Sequence, residues 1–213
     1  MERYARQTEI IPREKLVKCP ITVIGVGAIG RQVAIQLTAI GAAKIQLIDF
    51  DTVEQTNLSS QGYLLNDLYL PKIEATANFC KQMNSDTEFS IINDRFKRSF
   101  DTNTCVFMCV DRISARRHIW NSIKNRVRFL CDGRMAAETL RIITVTLFDK
   151  EYYEKTLFNQ NEAYRGSCTA KSTIYCANIA AGLMVAQFTK WLRDAPMDKD
   201  FNMNLFSMEF GIT

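Results

Sequence analysis

The chain has 213 residues, of which 47% are hydrophobic and 23% charged, with a net charge of +4. That balance suits a soluble globular chain with a real core, and without any basic run or stripe it gives no footprint for nucleic acid. Seven cysteines at irregular spacing, no C-x-x-C pair and one histidine, His118, leave little room for a tetrahedral zinc site or Ser-His-Asp chemistry and point to free thiols in a reducing cytoplasm.

Taken in order, the first twenty residues carry Glu2, Arg3, Arg6, Glu9, Arg13, Glu14 and Lys15 and read as no secretory leader. A short helix is expected over Arg13 to Lys18, after Pro12. Ile21, Val23, Ile24 and Val26 then supply the β-branched run of a strand covered on both faces. Gly25, Gly27 and Gly30 form G-x-G-x-x-G, with Ala28 and Ile29 inside it. The first glycine permits a tight turn, the second lets backbone approach a phosphate, and the third lets helix pack close on strand. The helix is expected from Ala28 to about Thr38, closing at Gly41. Ile45, Leu47 and Ile48 form the next strand, ended by Asp49 about 20 residues past the glycines, where a carboxylate can accept from ribose hydroxyls.

Residues 51–68 are polar, lack periodicity and read as a functional loop of about 18 residues. Pro71 starts a helix from Lys72 to Asn84, with Ile73, Ala77 and Cys80 on one face. Glu88 to Asn93 is a strand. Thr104 to Val110 is a buried strand ending at Asp111. A helix near Ala115 to Lys124 and a strand near Val127 to Asp132 continue the alternation. Leu140 to Phe148 is long, alternating and β-branched without a crossover helix before it, which suits an antiparallel extension. Residues 149–170 read as irregular and contain Tyr152, Tyr153 and Cys168. Thr173 to Leu192 is the last helix. Its apolar part, Ile174 to Phe188, is too short and too polar to span a bilayer. Met203 to Phe210 is the final strand. The fold class is α/β: a Rossmann-like, mostly parallel sheet with helices on both faces, extended by antiparallel strands in the C-terminal third, in a single domain over 1–213.

Several short motifs carry a resemblance. Arg3-Tyr4-Ala5-Arg6-Gln7, Gly25-Val26-Gly27-Ala28-Ile29-Gly30, Asp49-Phe50-Asp51, Asn57-Leu58, Gln61, Pro71-Lys72 and Cys109-Val110-Asp111, in this order and spacing, resemble the ThiF/MoeB family over about residues 3–190. The family shares its catalytic domain with ubiquitin-activating enzymes. The resemblance implies an ATP- and Mg²⁺-dependent adenylyltransferase. Its substrate would be the C-terminal carboxylate, on a glycine tail, of a ubiquitin-like or sulfur-carrier protein, and pyrophosphate would leave. A carboxylate nucleophile is already ionised at neutral pH, so the site must supply alignment and charge rather than a base. On that resemblance Asp49 holds the ribose, with Asp51 beside it. Gly27, Ala28 and adjoining backbone lie against the nucleotide, Asn57 and Lys72 reach its phosphates, and Asp111 holds Mg²⁺. Arg6 matches an arginine that the family inserts into a partner's site, which implies a homodimer. Cys168 aligns roughly with a cysteine that some members join to their carrier.

Two positions depart from the family pattern. Ser60 stands where the family usually has arginine in Asn-Leu-x-Arg-Gln, and Arg112 stands where it usually has asparagine. Arg112 would then restore the missing cation. The paired C-x-x-C zinc ligands common in the family are absent from the sequence. Other readings of single residues compete: Lys72 as a solvated charge, Asp111 as a helix N-cap, Arg6 as plain surface, Cys168 as packing. At the level of function, the alternatives are an inactive scaffold subunit and an NAD-dependent oxidoreductase.

Overall fold

The computed structural model describes residues 3–158 and 172–212. Strands β1 (Ile21–Ile24), β2 (Lys44–Asp49), β3 (Glu88–Asn93), β4 (Cys105–Met108) and β5 (Phe129–Ala136) run parallel; β6 (Thr139–Val145), β7 (Asp200–Asn204) and β8 (Glu209–Ile212) add on antiparallel. The sheet order is β3-β2-β1-β4-β5-β6-β7-β8. The chain builds outward from β1 to β3, then returns to the other side of β1. The carboxyl ends of β1 and β4 therefore flank a topological switch point, where open α/β sheets hold ligands.

β1 and β4 are buried along their whole length, and alternate residues of the central strands face two separate cores. Val23, Leu47, Phe107 and Phe129 pack under α2 (Ala28–Ile40), α4 (Lys72–Met83) and α7 (Ile174–Leu192). Ile24, Ile48, Val106 and Leu130 pack under α5 (Ile113–Ile123) and α6 (Lys150–Lys155). A one-residue slip would exchange the two sets, so the register is firmly fixed. The fold class read from the sequence stands. Gly41 closes α2 in the left-handed conformation at φ 95°, and Ile73, Ala77 and Cys80 form the buried stripe of α4. Among the described residues no helix is long and apolar enough to cross a membrane.

Three expectations need correction. Residues 51–68 are not a plain loop: α3 (Gln55–Gln61) and a 3₁₀ turn (Leu65–Asp67) lie inside it. Local polar bonds form α3 where apolar periodicity is missing. The Glu54 N–H donates to Asn57 Oδ1 at 2.9 Å, and Gly62, at φ 74°, closes the helix with its N–H on Leu58 O. The segment after β6 carries α6, and Tyr153 is fully buried against Trp120 at a ring separation of 4.8 Å. The final strand is a hairpin, β7 and β8, whose turn has the Asn204 side chain accepting from Phe206 N and Met208 at φ 56°.

Candidate functional site

In-register pairing of Ile24 with Ile48 and with Met108 aligns the ends of β1, β2 and β4. The residues that follow, Gly25, Asp49 and Cys109, thus share one edge of the sheet. Gly25 sits at φ 87°, and a Cβ there would stand 2.7 Å from Cys109 O, so the turn and its close approach to β4 both require glycine. A Cβ on Gly30 would stand 1.8 Å from Gly25 O, which locks the start of α2 onto the strand. Gly27 differs: the nearest atom to its missing Cβ is Gln61 Oε1 at 3.9 Å, so the space a side chain would fill is open. Ala28 and Ile29 open α2 with free amide groups at the positive end of its dipole.

Asp49 is buried at the end of β2. Its Oδ2 accepts from Val26 N at 2.5 Å and its Oδ1 from Asp51 N at 2.8 Å. Burial raises its pKa, and these two backbone bonds pull it back only in part. Each oxygen keeps a lone pair for a hydroxyl donor. Lys72 is not a solvated charge. It is 6% exposed, with Nζ 3.1 Å from Asp51 Oδ2 and its own N–H on Asp51 O. The pair joins the start of α4 to the end of β2 and fixes the ammonium beside Asp49.

α3 lies across the glycine turn. Asn57 uses its Oδ1 on the helix cap, which leaves the Nδ2 donors for a ligand. Gln61 has a buried Oε1 without a partner next to the open space at Gly27. Ser60 donates back to Thr56 O at 2.8 Å, so its proton is committed inside its own helix. It does not replace an arginine.

Asp111 is exposed beyond β4 and is not the helix cap: Arg112 holds the N-cap position of α5, without a side-chain cap bond. Neither side chain makes an ion pair among the described residues. The structure does not bring Arg6 to this site. Arg6 is exposed in the 3₁₀ turn Ala5–Gln7, which is held at the far end of α2 by Gln7 Nε2 on Ile40 O and by Tyr4 against Gly41. Cys168 lies outside the described residues.

Sequence reasoning missed two clusters. Arg31 and Tyr63 bridge α2 and α3; a charged residue directly after the third glycine, inside an apolar helix, was the available signal. Arg116, Asp132 and Arg134 form a buried charge cluster on the α5 face. Nothing in the spacing of those residues announces it.

A family model described as the ThiF family matches residues 4–211. Ubiquitin-like modifier-activating enzyme 5 of Xenopus laevis is 25% identical, over 84% of this chain and 52% of its own length. The chain thus spans about half the length of the curated relatives it matches. A PaaA crystal structure superposes with a TM-score of 0.80 at 18% identity, over 99% of this chain and 81% of that one. E. coli MccB, solved with ATP, superposes with a TM-score of 0.77 at 16% identity, over 100% of this chain and 71% of that one. At such identity the superpositions speak for the fold.

Proposed function

The chain belongs to the ThiF family, and from that premise we propose that it is an ATP-dependent adenylyltransferase acting through a single adenylation domain. It would activate the C-terminal carboxylate of a ubiquitin-like or sulfur-carrier protein. The observation that carries this reading is the open space at Gly27, bordered by the unpartnered Gln61 oxygen, at the sheet edge where Asp49 is held by Val26 N and Lys72 pairs with Asp51. Asp49 and the Gln61 oxygen call for hydroxyl or amino donors, and Lys72 with the free amides of α2 calls for negative charge; a nucleotide offers both.

The reaction joins a carboxylate to the α-phosphate of Mg·ATP and releases pyrophosphate. Asp49 accepts from the ribose and sets the position of the nucleotide. The amide groups at the start of α2, Asn57 Nδ2 and Lys72 Nζ meet its phosphate charge. Asp111 suits Mg²⁺, which keeps most of its waters and takes one or two carboxylates plus phosphate oxygens. No base is needed, in keeping with a chain that has one histidine. Arg112, beside Asp111, supplies the cation that Ser60 lacks. Arg6, held at the opposite end of α2 from this site, would act in the site of a second copy, which makes the working unit a homodimer. The Cys168 thiolate would attack the acyl adenylate, forming a thioester as the acyl–phosphate bond breaks and AMP leaves.

Thermal unfolding with Mg·ATP, and separately with NAD, tests the reading. A ligand at 100 times its Kd stabilises by about 2.7 kcal/mol. We expect stabilisation by Mg·ATP and a smaller shift in Asp111→Ala. Stabilisation by NAD alone would overturn the nucleotide assignment. No shift with either would favour a scaffold subunit, a reading that the committed hydroxyl of Ser60 keeps in play.

A further inference from the structure

Arg31 follows the third glycine of the turn and is 0% exposed. A buried guanidinium is costly unless its donors and charge are matched. Here both are matched only in part. Nε donates to Gly62 O and Nη1 to Thr76 Oγ1, both at 3.2 Å, while the plane packs over the Tyr63 ring at 4.1 Å and the Phe79 ring at 5.0 Å. The paired carboxylate, Asp67, stands 3.9 Å from Nη2, and Nη2 makes no hydrogen bond.

The bonds around it converge on the end of α3. Gln32 Nε2 donates to Gln61 O at 3.2 Å, Arg31 to Gly62 O, and the Tyr63 hydroxyl to Val26 O in the glycine turn at 2.6 Å. Three consecutive residues, 61 to 63, are thus fastened to α2 and to the turn from which α2 starts. The same short helix carries Gln61, whose Oε1 borders the open space at Gly27, and Asn57 one turn before it.

We propose that Arg31 is a positioning residue that sets α3 over the glycine turn and so fixes the reach of Asn57 and Gln61 toward the ligand's phosphates. Arg31 itself does not touch the ligand. The half of the site around Asp49 is linked to it only through the Tyr63 hydroxyl on Val26 O, since Asp49 itself is held by Val26 N and Asp51 N. The inference rests on the nucleotide reading above for its functional consequence, and on the α2–α3 contacts alone for its structural one.

Arg31→Lys keeps the charge and loses the fork. Without nucleotide, hydrogen exchange of residues 55–63 should quicken about tenfold in this variant while α7 is unchanged. The Kd for Mg·ATP should rise tenfold or more, and that for adenosine less than twofold. Wild-type exchange in a folded Arg31→Lys protein, or equal weakening of ATP and adenosine, would overturn the proposal. Should Arg31→Lys fail to fold, Thr76→Val removes the acceptor of Nη1 together with the Tyr63 hydroxyl's contact to Thr76 Oγ1, keeps the guanidinium itself, and should show the same pattern at a smaller amplitude. If the wild type binds neither ligand, the nucleotide reading fails, and the exchange comparison still decides whether Arg31 sets α3.

Discussion

Asp49 and Asp132 are both buried carboxylates near the carboxyl edge of the parallel strands, yet they are handled in opposite ways. Asp49, on the α2 side, receives two backbone N–H groups and no arginine; burial raises its pKa. Asp132, on the α5 side, is also pushed up by burial, but Arg116 and Arg134 more than reverse this and hold it below the usual carboxylate range. Its Oδ1 accepts from Arg116 Nε at 2.8 Å, and its Oδ2 from Arg134 Nε at 2.8 Å and from the Tyr153 hydroxyl at 3.0 Å. One carboxylate is left with an unmet need that a ligand can fill. The other is complete, and its partners tie β5 to α5 and α6. The contrast separates the half of the sheet edge proposed to bind nucleotide from a structural half.

Removing Asp132 should give the largest effect. Asp132→Asn leaves two arginines facing a neutral group, one of them, Arg116, buried. Breaking a buried pair in this way costs about 3–5 kcal/mol. Urea unfolding measures it, and a loss below about 1 kcal/mol would erase the contrast with Asp49. At Asp49 the order of effects should reverse. Asn keeps one acceptor and turns an NH₂ toward a backbone N–H, costing about 1–3 kcal/mol, which relief of the buried charge offsets in part. Its stability loss should be smaller than at Asp132. The Kd for Mg·ATP, by titration, should rise at least tenfold, while Asp132→Asn, where it stays folded, should bind nearly as wild type does.

This division explains how much the sequence disclosed. In the half proposed to bind nucleotide, Gly25 and Gly30 were legible because close backbone approach forces glycine there, and Asp49 ends its strand as the pattern implies; Lys72 came only with the family resemblance, since its charge alone reads as solvated. The structural half depends on side chains meeting across elements: Asp132 with Arg116 is a meeting of a strand with the helix before it, which no periodicity encodes. α3 and α6 were missed for a related reason. α3 is held by a cap, a left-handed glycine and the Tyr63 and Arg31 contacts rather than by an apolar stripe, and the buried face of α6 reduces to Tyr153. Of the site itself, the conformation of Ser60 could not be read ahead, because a serine's choice between ligand and its own helix is made only once α3 exists.

A smaller effect is expected at exposed Asp111 and at Lys72. Asp111→Ala removes a side chain without an ion-pair partner among the described residues, so stability should stay within about 0.5 kcal/mol of wild type. Lys72→Met breaks a pair whose other member, Asp51, is half exposed, a loss of about 1 kcal/mol or less. Both should nonetheless weaken Mg·ATP binding by tenfold or more in a calorimetric titration. A large stability loss in either variant with unchanged binding would place it on the structural side instead.

The subtlest difference is one of slope against pH. Asp132 has a folded pKa below its ordinary value of 3.8, so its contribution is full above that value and is lost as pH falls through the folded pKa. Asp49 has a folded pKa above 3.8, so folding favours its protonated form. The charge on Asp49 costs stability once pH rises through that raised value, and acid relieves it. Measured from pH 7 downward, the stability gap between wild type and Asp132→Asn should therefore shrink. The gap between wild type and Asp49→Asn should move in wild type's favour. Each pH unit of pKa difference is worth about 1.4 kcal/mol, which chemical unfolding at a series of pH values resolves. Parallel slopes in the two series would mean that the two carboxylates share one environment, and the division of the sheet edge into two halves would not hold.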